Sequence, residues 1–275
     1  MFELMLQSPP PRLTIKSRKG DMNDERSRSS LDEIIGDTPQ LKQMLQLAMK
    51  AAGTDAPVVI LGEAGSGKRL IARAVHRISA RRHEGFVTVN CAALGENSLG
   101  PYIFGGGDEV EKPGQLEVAN KGILFLNEIA LTPLGVQSRL LRLLERREFE
   151  RVGSTHTIPA NVRLIVSTKY DLGERVAEGT FHEALYNQLN IFPIKVPSLR
   201  ERRDDIPLLA NYFVQRFARR MNKTIDPIPN EIMSMLINSD WPGNIRQLEN
   251  LIERSVVLAD DSALRIPPTL MQLQS

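Results

Sequence analysis

The 275-residue chain has a single cysteine, Cys91, and a single tryptophan, Trp241. One thiol excludes a disulfide framework within the chain, and such sparing cysteine use reads as cytoplasmic. Aromatic residues make up only 5% of the sequence, and neither sign of charge dominates: 35 basic against 33 acidic residues leave a formal net charge of +2. That balance gives no global pull toward nucleic acid or an anionic membrane, although local basic clusters are compatible with it. No run approaches the roughly 18 consecutive apolar residues of a membrane span, so no membrane association is expected. The opening stretch MFELMLQSPPPRLTIKSRKG lacks the basic start, apolar run and small-residue cleavage site of a secretion signal. What is present is an ordinary globular composition, 41% hydrophobic and 25% charged, in a length that suits one large domain or two unequal ones.

Residues 1–30 stand apart. Pro9, Pro10 and Pro11 form a stiff break, and SRKGDMNDERSRSS after them has almost nothing to bury. The stretch reads as a disordered tail or linker, with the exit helix of a lost sensory domain as the alternative. From Leu31 the pattern changes. LDEIIGDTPQLKQMLQLAMKAA begins with an acidic turn and continues apolar at helical spacing through Leu41, Met44, Leu45 and Met49. PVVILGEAGSGK is an apolar strand followed by a glycine-rich loop, and RLIARAVHRIS continues as a helix. FVTVN, GILFLNEI, VRLIVST and FPIKV read as further strands, with VQSRLLRLLERREF as an amphipathic helix among them. Strands alternating with helices predict an α/β fold, a parallel sheet covered by helices on both faces. Beyond Pro197 the strands stop. PLLANYFVQRFARRM, NEIMSMLINS and IRQLENLIERSVVLA predict three helices, the last capped by Asn244 in the turn DWPGN. The expected organisation is therefore a tail at 1–30, an α/β domain at 31–197 and a small all-helical domain at 198–275.

The segment Gly62-Glu63-Ala64-Gly65-Ser66-Gly67-Lys68 has the spacing of a phosphate-binding loop, in the strand–loop–helix setting that such a loop requires. Its glycines let backbone N–H groups turn toward phosphate oxygens, the helix N-terminus adds partial positive charge, and Lys68 supplies a point charge. Arg69 stands where a Ser or Thr normally meets magnesium. A second signal is Ile123-Leu124-Phe125-Leu126-Asn127-Glu128. An apolar strand ending in two acids usually holds magnesium with the first and polarises the attacking water with the second. Here the first position is Asn127, which keeps an oxygen but loses the charge a hard cation favours. Glu128 is the candidate base. ATP or ADP is the expected ligand, with magnesium binding weakened.

These residues, with EIIGDTPQLKQML, FVTVNCAAL, LYNQLNIFPIKVPSLRERRDDIPLLA and WPGNIRQLENLIERSVVL, make the chain resemble the central ATPase domain of bacterial enhancer-binding proteins, the AAA+ activators of sigma-54 RNA polymerase. The resemblance covers roughly residues 31 to 270. It implies an AAA+ P-loop core with a helical lid, ATP sites between the subunits of a ring, and hydrolysis that remodels the closed promoter complex. It assigns Asn90 as the switch residue that pairs with the catalytic Glu, Arg246 as the lid's sensor arginine, and Ile35 with Gly36 as the strip that packs on adenine. Plain structural readings stay open beside these: a solvated helix arginine for Arg246, core packing for Ile35. Cys91 reads as a small buried apolar side chain, His76 and His83 as too isolated for a metal, Trp241 as the anchor of the lid turn, and SLRERRDD as a solvated connection, although in the family it starts the lid.

The departures from the family pattern concern catalysis. The residue after the P-loop lysine is usually Glu in the family, and Arg69 reverses its charge. The sigma-contacting element Gly-Ala-Phe-Thr-Gly-Ala is absent. Between Gly105 and Gly114 stands the shorter GGDEVEKP, so sigma-54 contact is not expected. The positions of the two arginine fingers hold His182 and Gln188, and the sensor position after VRLIVST holds Lys169. Fingers of this kind are worth roughly 10³ to 10⁵ in rate. The segment after the last helix is too short for a helix-turn-helix pair, so no direct DNA contact by the chain is expected. Three functions compete. The first is an ATP-binding regulatory AAA+ protein with little or no hydrolysis. The second is a working activator of sigma-54 promoter opening, with Arg175 or Arg200 replacing a finger. The third is a non-enzymatic subunit that forms a mixed ring with a competent relative and modulates it; a homo-oligomeric ring suits the first two.

Overall fold

The computed structural model of the chain describes residues 34–106, 112–259 and 262–264. The expected tail at 1–30 and the acidic centre of GGDEVEKP, 107–111, lie outside the described residues. The elements in chain order are α1 (Pro39–Ala52), β1 (Val58–Leu61), α2 (Lys68–Ile78), β2 (Phe86–Asn90), α3 (Glu96–Phe104), α4 (Gln115–Val118), β3 (Ile123–Asn127), α5 (Leu134–Arg146), β4 (Glu148–Glu150), β5 (Thr157–Pro159), β6 (Arg163–Thr168), α6 (Leu172–Ala177), α7 (Glu183–Leu189), β7 (Pro193–Lys195), α8 (Ile206–Arg220), α9 (Asn230–Asn238) and α10 (Asn244–Val257). They form two compact units. One comprises 44–62 and 68–196; the described part of the other comprises 34–43, 63–67 and the chain from 197.

The first unit is built on a five-stranded sheet of order β2-β3-β6-β1-β7, with every pairing parallel. Its central strands carry apolar runs because both faces are covered. Ile123, Leu124, Phe125 and Leu126 are wholly buried, and β6 is buried along its whole length. The register sets Asn90 opposite Asn127 and Asn127 opposite Ser167, which aligns three polar side chains at the carboxyl ends of β2, β3 and β6. That edge is where open α/β sheets bind ligands. A small antiparallel pair, β4 with β5, was not foreseen from the sequence.

The opposite ends of the strands are tied by two arginines. Arg163 is buried in β6 and donates to the carbonyls of Ala51 (2.7 Å) and Ala56 (3.0 Å), satisfying the end of α1. Arg81 pairs with both carboxylate oxygens of Asp55 at 2.8 and 2.6 Å. It also donates to the carbonyls of Lys121, Gly122 and Asn161 and to the Asn161 side chain. Removing it takes a donor from four carbonyl or amide oxygens and from a carboxylate, although Gly122 keeps the Arg163 N–H and the Asn161 carbonyl keeps the Lys121 N–H. Arg81→Ala should therefore lower unfolding free energy by about 2–4 kcal/mol at neutral pH, measured by urea denaturation. The Arg81 hydrogen bond and charge hold the Asp55 carboxyl below its ordinary range, against the opposing effect of burial. A depressed acid stabilises the fold above its unfolded pKa of about 3.9, and that stabilisation is lost as pH falls through the folded value. The Arg81→Ala penalty should accordingly shrink in acid, and a penalty that is flat with pH would contradict the pairing.

The second unit packs α8, α9 and α10 around Leu209, Phe213, Phe217, Leu236, Trp241, Leu248, Leu251 and Ile252. The Trp241 indole is buried and donates to the Leu236 carbonyl at 2.8 Å, as an anchor for the turn should. Arg216 pairs with Glu249 and Arg220 with Glu253, one turn apart on α8 and α10. The SLRERRDD run is not a solvated connection. It forms a 3-10 segment, Leu199–Asp205, in which Arg202 is 3% and Asp205 1% exposed. The reason is long-range. Asp205 is the acceptor for the N–H groups of Asp37 (2.7 Å) and Thr38 (3.1 Å) and for the Thr38 hydroxyl (2.8 Å), so its carboxylate clamps the strip at 36–38. Gly36, at φ +143°, is required there: a Cβ would fall 2.5 Å from an Asp205 oxygen.

Candidate functional site

β1 runs into the glycine-rich loop because its four apolar residues end at Leu61, after which glycines at 62, 65 and 67 let the backbone turn. Gly65 (φ +76°) and Gly67 (φ +104°) adopt conformations that disfavour other residues. Helix α2 begins at Lys68. The Lys68 side chain is 6% exposed; its ammonium donates to the Gly62 carbonyl at 2.6 Å and lies 3.5 Å from a Glu128 oxygen. Arg69 is exposed at the second position of the helix. The Ser66 side chain, in the middle of the loop, is 2% exposed, and its hydroxyl has no hydrogen-bond partner among the described residues. A buried donor left over in a loop of this geometry suits an acceptor-rich ligand such as a phosphate.

At the carboxyl end of β3 the chain turns sharply. Glu128 sits at φ +60°, ψ +52°, a left-handed conformation that costs a non-glycine residue about 1–2 kcal/mol. Strain of this sort persists where the surroundings hold it, commonly at working sites. Here the carboxylate is held by the Lys68 ammonium on one oxygen and the Lys169 N–H (3.3 Å) on the other. Asn127 is fixed from both sides. Its carbonyl oxygen accepts from the Ser167 hydroxyl (2.8 Å), and its amide donates to the Asn90 side chain at 3.4 Å. Asn90 is thus engaged with Asn127, and with the N–H of Ala92 (3.2 Å), rather than with Glu128. The buried Cys91 thiol is pushed up to about 12 by burial first and the Glu128 charge second, so it is inert at neutral pH.

The positions matched to arginine fingers are occupied otherwise. A ring nitrogen of His182 lies 2.9 Å from the Ser138 hydroxyl, and its backbone N–H donates to Gln137 at 2.8 Å. Gln188 is exposed on α7. The Lys169 ammonium lies 5.0 Å from the Tyr170 ring centre, and the Arg175 guanidinium 4.4 Å from the same ring. Arg175 also pairs with Glu178, and Arg200 with Glu63, so both substitute arginines already have partners in their own chain.

In the helical unit, Ile35 packs against the core and Gly36 lies against Asp205. The exposed Arg246 is on the first turn of α10; a Cβ placed on Gly65 would lie 3.2 Å from the Cβ of Arg246 and 2.2 Å from the Gly243 carbonyl. Asn244 is not the cap. The residue preceding the helix is Gly243, and Asn244, at φ +54° and fully buried, turns its side chain elsewhere. Its carbonyl oxygen accepts from the Leu199 N–H (2.7 Å), and its amide donates to Glu63 and to the Ala64 carbonyl, both at 3.0 Å. The sequence signal was an Asn before a helical run, which is indistinguishable from a cap until its partners are known.

Among the described residues no helix is long and apolar enough to cross a membrane, and no cluster of His, Cys, Asp and Glu could hold a metal ion by itself. The chain is 43% identical over 247 residues to the DNA-binding transcriptional activator HyfR of Escherichia coli, covering 87% of this chain and 37% of that protein. It is 47% identical over 232 residues to the transcriptional regulatory protein ZraR of Salmonella typhimurium, covering 82% of this chain and 52% of ZraR. The chain thus spans between about a third and a half of the length of these relatives. The crystal structure of NtrX from Brucella abortus in complex with ATP superposes with a TM-score of 0.81 at 38% identity, covering 90% of this chain and 56% of NtrX. Residues 200–272 match the AAA+ ATPase lid domain. Residues 34–195, more than half of the sequence, match the sigma-54 interaction domain, and the chain belongs to that family.

Proposed function

We propose that this chain is an ATP- or ADP-binding AAA+ regulator of the sigma-54 activator type whose own hydrolysis is weak or absent. The nucleotide-binding domain is 31–197 and the lid 198–275, a division supported by family matches that meet between 195 and 200. The observation that carries the reading is the row at the sheet edge, where a neutral Asn127 is held by Asn90 and Ser167 in the position of the magnesium-binding acid. Gly62 to Gly67 and Lys68 would hold the phosphates, with Arg69 adding positive charge and Arg246 serving as the lid's contact. Ile35 and Gly36 would face the base. A relative whose structure was solved with ATP, and also with ADP, supports the choice of ligand. Bound nucleotide with magnesium supplies a phosphoanhydride poised for attack by water. The residues that would promote the attack are Glu128 as base, without an acidic neighbour to fix the metal and without an arginine at 182 or 188. The intact pair of Lys68 and Glu128 favours the second reading, a working ATPase.

The sigma-contacting element has no counterpart here. The described ends of the short loop are closed at its base: Gly106 donates to the Lys112 carbonyl at 2.8 Å, and the Gly114 N–H lies 3.3 Å from a Glu117 oxygen. Residues 106–113 include no Thr and no aromatic side chain. The expected result is no open-complex formation by this chain alone with sigma-54 RNA polymerase, and inhibition or modulation when it is mixed with an active relative. Robust promoter opening by the chain alone would overturn the reading. HyfR is described as DNA-binding, but the chain matches only 37% of it; for residues 34–264 we propose nucleotide binding and subunit contacts without direct DNA contact.

A further inference from the structure

The phosphate loop is held from outside by side chains that nucleotide chemistry does not require. Glu63, the first variable residue of the loop, is engaged by two of them. The Arg200 guanidinium meets both of its carboxylate oxygens, one at 2.9 Å, and the Asn244 amide meets one at 3.0 Å. The same Asn244 amide holds the next carbonyl, Ala64, and its own oxygen takes the Leu199 N–H. Asn244 is 0% exposed and sits at φ +54°, a conformation that Asn tolerates better than most residues. Gly65 then packs so closely on the Gly243 carbonyl that any side chain would collide with it. Arg200, Asn244 and Gly243 therefore grip three consecutive loop residues, 63 to 65, immediately before Ser66, Gly67 and Lys68, which would face phosphate.

We propose that Asn244 is a positioning residue for nucleotide binding: with Arg200 it holds Glu63 and Ala64, and so fixes the backbone path of the phosphate loop. This rests on the nucleotide-binding reading above and adds a cause for the loop's shape. A loop whose N–H groups must converge on phosphate gains affinity when its conformation exists before the ligand arrives. The arrangement is an electrostatic match: the only acid in the loop is neutralised by Arg200, so it does not repel an incoming polyphosphate. Occupancy of the loop and the position of the Leu199–Asp205 segment are linked through one side chain, because Asn244 bonds to both.

The test uses the full chain and two measurements, ADP titration with a fluorescent analogue and amide hydrogen exchange without nucleotide. Asn244→Asp retains the oxygen that accepts from Leu199 but turns an acceptor toward the Glu63 carboxylate and the Ala64 carbonyl. It should weaken ADP binding about ten- to hundredfold, the range expected when buried acceptors are left facing each other. Amides 63–67 should exchange roughly tenfold faster. Adding Glu63→Gln, which can donate to the new carboxylate, should recover most of the affinity and protection, whereas a purely structural defect would not be rescued. Asn244→Asp with wild-type affinity and wild-type exchange, or a double variant no better than the single one, overturns the proposal. If the wild-type chain binds no ADP, the nucleotide reading fails, and the exchange of 63–67 in Asn244→Asp still decides whether this grip holds the loop.

Discussion

The triple variant Asn127→Asp, His182→Arg, Gln188→Arg should turn over ATP about 10³-fold faster than the wild-type chain, approaching the order of 1 per second of ordinary enzymes, while Asn127→Asp alone should change little. The asymmetry follows from which deficits act in series. Restoring the acid gives magnesium a charged ligand, and the site can accommodate it: the Ser167 hydroxyl can donate to either residue, and Asn90 need only turn its amide toward the new carboxylate, giving up its acceptance from Ala92. On the proposed reading, charge developing on the transferred phosphate would remain uncompensated until an arginine is supplied from a neighbouring subunit. Replacing His182 removes its contact with Ser138, but the bond from its backbone N–H to Gln137 is independent of the side chain, so the local fold should survive. Phosphate release at several protein concentrations measures this. A rate that stays at the wild-type level in the triple variant would show that some other feature limits hydrolysis; a full rescue by Asn127→Asp alone would show that the finger positions are misassigned.

The second large effect is expected at Lys68. Its ammonium lies 2.6 Å from the Gly62 carbonyl; on the proposed reading it is the main charge for phosphate, and a hydrogen bond to a charged group is worth about 1.5–3 kcal/mol, or roughly ten- to more than a hundredfold in affinity. Lys68→Ala should weaken ATP and ADP binding by that factor. It also removes a cationic partner from Glu128, whose side chain is largely buried, so some loss of thermal stability should accompany it. Titration of both proteins with the same fluorescent nucleotide is the measurement. Equal affinity for the two would remove Lys68 from the binding site.

Some of this was legible from residue order and some was not, for identifiable reasons. The five strands of the parallel sheet announce themselves because central strands buried on both faces must be continuously apolar, as ILFL and LIV are. The helices of the lid carry regular apolar spacing, and the phosphate loop has a pattern that few other structures need. The β4–β5 pair escaped notice because its strands are three residues each and hold Glu148, Glu150 and Pro159, which read as a surface turn. Helix α3 contains Gly100 and Pro101 and does not read as a helix at all. The charged run at 199–205 reads as solvated because its burial rests on Asp205, which accepts from backbone N–H groups 168 and 167 residues away in sequence and pairs with Arg202 at 3.7 Å. Asn244 was misread for the same reason. Its partners Glu63 and Ala64 are remote, and a polar residue beside a helix start suggests a cap unless long-range contacts are known.

The central claim is retention of nucleotide with loss of turnover, and both halves can be read from one sample. Purified full-length chain would be titrated with ATP to obtain affinity and stoichiometry, and phosphate release from the same preparation followed at saturating ATP and magnesium across a range of protein concentrations. The account predicts saturable binding, abolished or strongly weakened in Lys68→Ala, with release indistinguishable from a protein-free control even in concentrated protein. Steady-state release on the order of 1 per second or faster, rising with protein concentration as rings form, would contradict it and return the chain to the working ATPases of its family.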